Sequence, residues 1–240
     1  MKYFFCLLLL PVYLTAQNSS PAEISRWQSQ SQQVTIIRDN WGIPHIYGKT
    51  DADAVFGLLY AQCEDGFNRV EMNYIEKLGR MAEIKGPSEL QKDLYIKLII
   101  DSADAVADYK KSPDWLKQLL NAYADGINYY LYKHPEVKPL LLTRFQPWYP
   151  LLWTDGSIGA ISTGNVTADE VRPVYLPANT NEAHAMVPEE DKTTGSNGFA
   201  VGPSKSASGN AILYINPHVT FYFRPEVHMV SEEGLNAYGA

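Results

Sequence analysis

Cysteine is scarce in this chain of 240 residues, which contains only Cys6 and Cys63. Cys6 lies in an apolar run, Tyr3 to Leu14, that has the length of a signal-peptide core. Removal of that run leaves Cys63 without a partner, so the sequence predicts a fold that no internal disulfide stabilises. Cys63 falls on the apolar face of a predicted helix with no activating neighbour, which favours a buried thiol over a nucleophile.

An excess of positive charge and a long apolar segment are also missing. The formal net charge of -7 argues against nucleic acid or an anionic membrane as a partner. The apolar run after Lys2 is too short to span a bilayer, and no later run is longer. Because Leu14-Thr15-Ala16 ends that run in a small residue, we expect a signal peptide over residues 1–16. The expected location is periplasmic or secreted, with no membrane attachment after signal removal.

The first part of the remaining chain reads as mainly helical. Residues 17–33 are polar and are interpreted as a loose leader, and residues 34–37 predict a strand. Residues 43–47 predict a short extended segment, in which Pro44 favours a sheet edge or an irregular position. Apolar residues at helical spacing follow the capping pair Thr50 and Asp53, and again follow Ser112-Pro113, where the serine is the expected cap. We therefore assign residues 34–170 to a mainly helical region.

The second part is rich in strands. Residues 171–195 are polar and contain three prolines, which is typical of an exposed linker. Between residues 196 and 240, short β-branched and apolar runs alternate with Gly-Pro and Ser-Gly-Asn turns. A helical half, a linker and a strand-rich half predict an α+β fold.

The segment that carries chemistry begins where the linker ends. Gly195-Ser196-Asn197-Gly198 is followed by a Gly-Asn-Ala turn, an apolar run and Asn216-Pro217-His218. Two blocks lie upstream, Arg-Asp-Asn-Trp-Gly-Ile-Pro-His-Ile at residues 38–46 and Leu-Gly-Arg-Met-Ala-Glu at residues 78–83. In this order the blocks resemble the penicillin acylase family of N-terminal nucleophile (Ntn) hydrolases, which includes the glutaryl, cephalosporin and acyl-homoserine lactone acylases. The resemblance spans residues 34–240, and family members are several hundred residues longer, so we interpret the chain as an N-terminal fragment.

The resemblance implies a precursor that cuts itself between Gly195 and Ser196. The cut frees the α-amino group of Ser196, whose ordinary pKa of about 7.7–8.0 lets it act as the base for its own hydroxyl. The implied reaction is acyl transfer from a small N-acyl amide to Ser196, followed by hydrolysis. The resemblance also implies an αββα four-layer sandwich, incomplete in this chain, and α and β chains of one precursor that stay associated.

Four further residues receive roles from the resemblance. His218 is expected beside the nucleophile, although a structural histidine at a strand end is the alternative. Asn197 is expected to fix the loop of the nucleophile and Asn216 to hold the turn before His218. No cofactor is required for the chemistry. Glu170 is the candidate carboxylate for a structural calcium ion, which needs six to eight oxygen ligands, and a solvated acidic loop is the alternative.

Other interpretations remain open. Phe145, Trp148 and Trp153 could line an acyl pocket, but core packing is favoured. His184 and His228 have no zinc-ligand spacing with each other or with His218. A catalytically inactive secreted binding protein on the same scaffold is the alternative function, and an unrelated secreted α+β domain is the third. The retained Gly195-Ser196 pair favours the enzyme.

Overall fold

A computed structural model of the protein describes residues 19–99, 101–152, 196–217 and 225–240. Six α-helices lie in these ranges: α1 Pro21–Ser31, α2 Asp51–Lys77, α3 Ala82–Lys85, α4 Leu90–Ile99, α5 Ser102–Lys111 and α6 Asp114–Lys133. The same ranges contain six strands: β1 Val34–Arg38, β2 Pro44–Gly48, β3 Ser196–Val201, β4 Ile212–Pro217, β5 Val227–Ser231 and β6 Asn236–Gly239. The expected signal peptide and linker lie outside the described residues, so those domain boundaries stay predictions.

Helix α1 corrects the expectation of a loose polar leader, which is wrong for residues 21–31. Ser20 and Glu23 form a capping box at its start, which satisfies backbone N–H groups that the helix itself cannot. One aromatic residue anchors the helix: Trp27 is fully buried, and its indole N–H donates to Asp125 Oδ1 of α6 at 2.6 Å. A single buried side chain on an otherwise polar helix gives too weak an apolar pattern to detect in the sequence.

Strands from both ends of the chain form one four-stranded sheet in the order β1-β2-β5-β6. The β1–β2 and β5–β6 pairs are antiparallel, whereas β2 and β5 run parallel. Strand β2 is therefore internal, and the prediction that Pro44 marks a sheet edge is wrong. Pro44 is the first residue of β2, a position where the missing N–H of proline is tolerated.

Helices α2 and α6 pack together, and α2 also packs against this sheet. The predicted cap of α2 is confirmed, because Thr50 and Asp53 form a capping box. A Cβ at Gly126 of α6 would lie 2.4 Å from the carbonyl oxygen of Phe56, so only glycine permits so close a crossing. The predicted cap at Ser112 is wrong: Ser112 ends α5, where its hydroxyl donates to the Asp108 carbonyl.

The main core lies between α2, α6 and the segment after α6. It contains Cys63, Phe67, Ile127 and Phe145 among its buried members, and Trp148 packs against it partly buried. The preference for core packing of Phe145 and Trp148 is thus confirmed, while Trp153 lies outside the described residues.

The first two strands after the predicted linker, β3 and β4, form a separate antiparallel hairpin. Its large apolar side chains are more than half exposed at Phe199, Leu213 and Ile215. A helical first part and a strand-rich second part confirm the α+β prediction for the described residues. The four-layer arrangement stays an expectation.

Candidate active site

The predicted nucleophile stands at the first residue of a strand. Ser196 begins β3, and the register of the hairpin pairs it with Pro217 at the end of β4. The next pair along the hairpin is Asn197 with Asn216. The turn between the strands uses Gly209 at φ 72°, which an L-residue rarely adopts. The hairpin thus holds the backbone of Ser196 beside the residue that precedes His218 in the sequence.

The described residues include only part of the predicted site. Asn197 and Asn216 lie opposite each other with exposed side chains, and both make interactions. Gly195, His218 and Glu170 lie outside the described residues, so their roles stay predictions.

Within residues 19–99, 101–152, 196–217 and 225–240, no group of three or more His, Cys, Asp or Glu side chains is placed to hold a metal ion. The calcium expectation involves Glu170 and therefore stays a prediction. Among the helices of these same ranges, none combines the length and the apolar character that a membrane crossing needs.

A cavity of about 470 Å³ lies between the helices and the end of the sheet. Its volume is in the range of small-molecule sites. The lining is mostly apolar, and its polar groups come from Gln62, Asn73 and a tyrosine pair. The pair consists of Tyr74 and Tyr123, and the hydroxyl of Tyr74 donates to Tyr123 Oη. Burial raises the pKa of both phenols. Both tyrosines therefore remain neutral and present an uncharged wall.

Cys63 does not supply a second nucleophile. Its side chain is 1% exposed, and burial raises the pKa of the thiol far above its ordinary range. Since the thiolate is the reactive form, the prediction of an inert buried cysteine is confirmed.

The first upstream block organises the turn between β1 and β2. Arg38 bridges to Glu64 at 3.1 Å and to Asp65 at 2.9 Å, next to the kink of α2 at Gly66. Asp39 Oδ1 accepts the backbone N–H groups of residues 41 and 43 across the turn. These side chains therefore have structural roles that explain why an Arg-Asp pair begins the block.

The second upstream block forms the turn after α2. Arg80 and Glu83 form a two-point ion pair at 2.6 and 2.8 Å. The buried carboxylate of Asp93 accepts the N–H groups of Met81 and Ala82. This block also fixes the backbone, and none of its described contacts points to chemistry.

Sequence reasoning missed a histidine pair on the four-stranded sheet. His45 of β2 lies directly opposite His228 of β5, and their Nδ1 atoms are 3.0 Å apart. The two residues are 183 positions apart in the chain, so only the strand pairing could reveal their contact.

Comparison with known proteins connects this geometry to a family. The chain is similar to acyl-homoserine lactone acylase QuiP of Pseudomonas fluorescens (strain Pf0-1), at 31% identity over 50% of this chain and 15% of the relative. It is also similar to penicillin acylase 2 proenzyme of Pseudomonas sp. (strain SE83), at 26% identity over 80% of this chain and 31% of the relative. A third relative is acyl-homoserine lactone acylase PvdQ of Pseudomonas savastanoi pv. phaseolicola (strain 1448A / Race 6), at 24% identity over 99% of this chain and 34% of the relative.

The chain thus spans about a third or less of the length of these relatives. Among solved structures, it resembles a thermostable penicillin G acylase from Alcaligenes faecalis with a TM-score of 0.48 and 18% identity, over 66% of this chain and 98% of that one. The family model described as penicillin amidase matches residues 33–240. Because this match covers both upstream blocks and the β3–β4 hairpin, the chain belongs to the penicillin amidase family.

Proposed function

We propose that the whole protein is a self-processing acylase that hydrolyses the amide bond of small N-acyl compounds, with Ser196 as its N-terminal nucleophile. The observation that carries the proposal is the register of the β3–β4 hairpin. It sets Ser196 at the start of a strand and opposite Pro217, which His218 follows in the sequence. The family match over residues 33–240 and the relative named as a proenzyme support the same conclusion.

The proposed chemistry needs the bond between Gly195 and Ser196 to break first. Ser196 Oγ attacks the carbonyl carbon of Gly195, the C–N bond breaks, and the acyl group of Gly195 is left as an ester on Oγ while the Ser196 nitrogen becomes a free amine. Water then hydrolyses that ester, which releases the Gly195 carboxylate and restores the Ser196 hydroxyl. That amine then takes the proton of its own hydroxyl when Oγ attacks the substrate amide. The substrate amine departs with the proton, and water hydrolyses the acyl-enzyme. In this scheme His218 orients Ser196.

An apolar acyl group is the proposed substrate feature. Penicillins and acyl-homoserine lactones, named in the relatives, are both N-acyl amides. The cavity between the helices and the sheet is lined mainly by apolar groups, with two carboxamides and two tyrosines. Its tyrosines are neutral, and no charged residue is among its described lining, which disfavours a charged acyl group. Assays on N-acyl amides of graded chain length test this, and equal rates for charged and apolar acyl groups would contradict it.

The proposed location is the periplasm or the exterior, with the α and β chains held together after the cut. The sheet supports this association, because β1 and β2 precede the proposed cut while β5 and β6 follow it. A calcium ion bound in part by Glu170 belongs to the same proposal.

Intact-mass measurement and N-terminal sequencing of the full-length protein test the proposed cut. We expect two chains, the second beginning at Ser196. Ser196→Ala should leave one uncut chain without activity, whereas Ser204→Ala, a matched change in the turn of the same hairpin, should be processed normally. A wild-type protein that stays uncut and active contradicts the mechanism. One that is uncut and inactive but still binds N-acyl amides supports the alternative of a binding protein.

A further inference from the structure

The histidine pair on the four-stranded sheet occupies a specific arrangement of hydrogen-bond acceptors. His228 Nε2 lies 3.1 Å from Asn236 Oδ1, and a carboxamide oxygen can only accept. His228 Nε2 therefore carries a hydrogen and donates it to Asn236. His45 Nε2 faces the carboxylate of Asp39 at 3.6 Å, which also favours a hydrogen on that nitrogen.

These contacts determine what can lie between the two Nδ1 atoms. If both rings were neutral with hydrogen on Nε2, two nitrogen lone pairs would face each other at 3.0 Å. That contact is repulsive unless a cation separates the lone pairs. One added proton turns the contact into an N–H···N hydrogen bond of ordinary length, whereas two added protons would again repel each other.

We propose that His45 and His228 share one proton between their Nδ1 atoms, and that the resulting hydrogen bond joins β2 to β5 and weakens in acid. One strand precedes residues 195 and 196 and the other follows them, so this hydrogen bond joins the segments that the proposed cut would separate. The histidine bond itself is the same whether or not the cut occurs, so the inference does not depend on the proposed function.

The groups around the pair favour a single positive charge. Asp39 supplies a carboxylate: desolvation acts to raise its pKa, but backbone N–H groups in the turn and His45 outweigh this and lower the pKa overall. On the other side, the ring of Tyr238 lies 5.9 Å from His228 and its hydroxyl donates to Glu226 at 2.5 Å.

Among the described residues, one further aromatic ring contacts the pair. Tyr47 contacts His228 edge-on at 6.2 Å. Helix α2 covers the opposite face of the sheet, where Ile46 is fully buried, so among the described residues no charged group of α2 faces the two rings.

The expected pH dependence follows from the same contact. One proton between the two Nδ1 atoms makes the hydrogen bond, whereas a proton on both Nδ1 atoms brings two like charges together and breaks it. The pairing is therefore expected to weaken in acid.

Hydrogen exchange of the amides in Pro44–Gly48 and Val227–Ser231 of the full-length protein tests the proposal. At about pH 7, His45→Asn and His228→Asn should each speed exchange about tenfold, as expected for a hydrogen bond to a charged group. The double variant should exchange no faster than either single one. Tyr47→Phe, on the same face, is the matched control and should exchange like wild type. At about pH 5, after correction for intrinsic rates, wild type should approach the variants.

Two results would overturn the inference. One is additive effects of the two histidine changes that are equal at both pH values. The other is loss of protection in wild type on chelation with EDTA and its return with Zn²⁺ or Cu²⁺, which would identify a metal bridge. If the variants fail to fold, ¹⁵N-histidine NMR of wild type decides: a proton signal coupled to both Nδ1 atoms supports the proposal, and two separate neutral rings refute it.

Discussion

Glu71 of α2 offers a sharp test of how the helical core is held together. Its side chain is fully buried, and its carboxylate accepts the backbone N–H groups of Leu140, Leu141 and Leu142 at 2.9, 2.7 and 2.8 Å. Three backbone donors thus replace the water that the carboxylate loses on burial. Each bond to a charged acceptor is worth about 1.5–3 kcal/mol, but Leu140 is 53% exposed, so water can replace part of that bond.

Two substitutions separate the charge of Glu71 from its shape. Glu71→Gln keeps one oxygen, which can still accept from Leu141 and Leu142, but turns an amide N–H towards the donor of Leu140. We expect a loss of about 2 kcal/mol in the free energy of unfolding. Glu71→Ala breaks all three hydrogen bonds and leaves a cavity, so we expect a loss of about 4 kcal/mol, above the usual range for a single substitution.

Denaturant unfolding of the full-length protein measures these losses, and hydrogen exchange at residues 140–142 locates them. Glu76→Gln is the matched control, because Glu76 lies on the same helix in an exposed pair with Lys92, and such pairs are worth at most about 1 kcal/mol. If Glu71→Gln costs no more than Glu76→Gln, the carboxylate does not hold the segment and the reasoning is wrong.

Two further predictions concern the described helices. The backbone N–H at the N-cap of α1 and the guanidinium of Arg144 lower the pKa of Glu23 to about 2. The contact of the Glu23 carboxylate with these two groups therefore stabilises the fold above about pH 4.5, and this stabilisation is lost as the pH falls towards 2. Hydrogen exchange of α1 across that range checks this, and Glu23→Gln should abolish the dependence; a dependence that persists in the variant contradicts it. Because the thiol of Cys63 is buried and its pKa is raised, iodoacetamide should modify it only after unfolding. Rapid labelling of the folded protein at neutral pH would refute that expectation.

The sequence predicted those parts of the fold whose signal is local. The capping box of Thr50 and Asp53 and the apolar spacing after it identify α2, because cap and periodicity act within one turn of helix. Apolar runs between Gly and Asn turns identify β4 in the same way. Ser112 was misassigned because it lies between two helices and its residue type suits the start of one and the end of the other.

What the sequence could not predict depends on contacts between distant residues. Trp27 fixes α1 through a contact with Asp125, which is 98 positions away, so the sequence of α1 alone suggests a loose polar segment. Strand β2 is internal because β5 pairs with it. A proline inside a short run, taken alone, instead indicates an edge strand. Of the candidate site, the hairpin register of Ser196 follows from local turns, whereas the His45–His228 contact requires knowledge of the parallel pairing.

The order of the sheet bears on how a cut after Gly195 would affect the fold. Strands β2 and β5 are hydrogen-bonded to each other from His45 to Gly48 and from His228 to Ser231, and Ser231 Oγ also donates to Asp51 at the start of α2. A break between residues 195 and 196 removes none of these contacts, since all of them join residues far from that bond. It does remove the covalent link that makes the pairing intramolecular, so the two chains would then depend on noncovalent contacts such as these to remain together. If the proposed cut occurs, this interface must therefore hold without the covalent link.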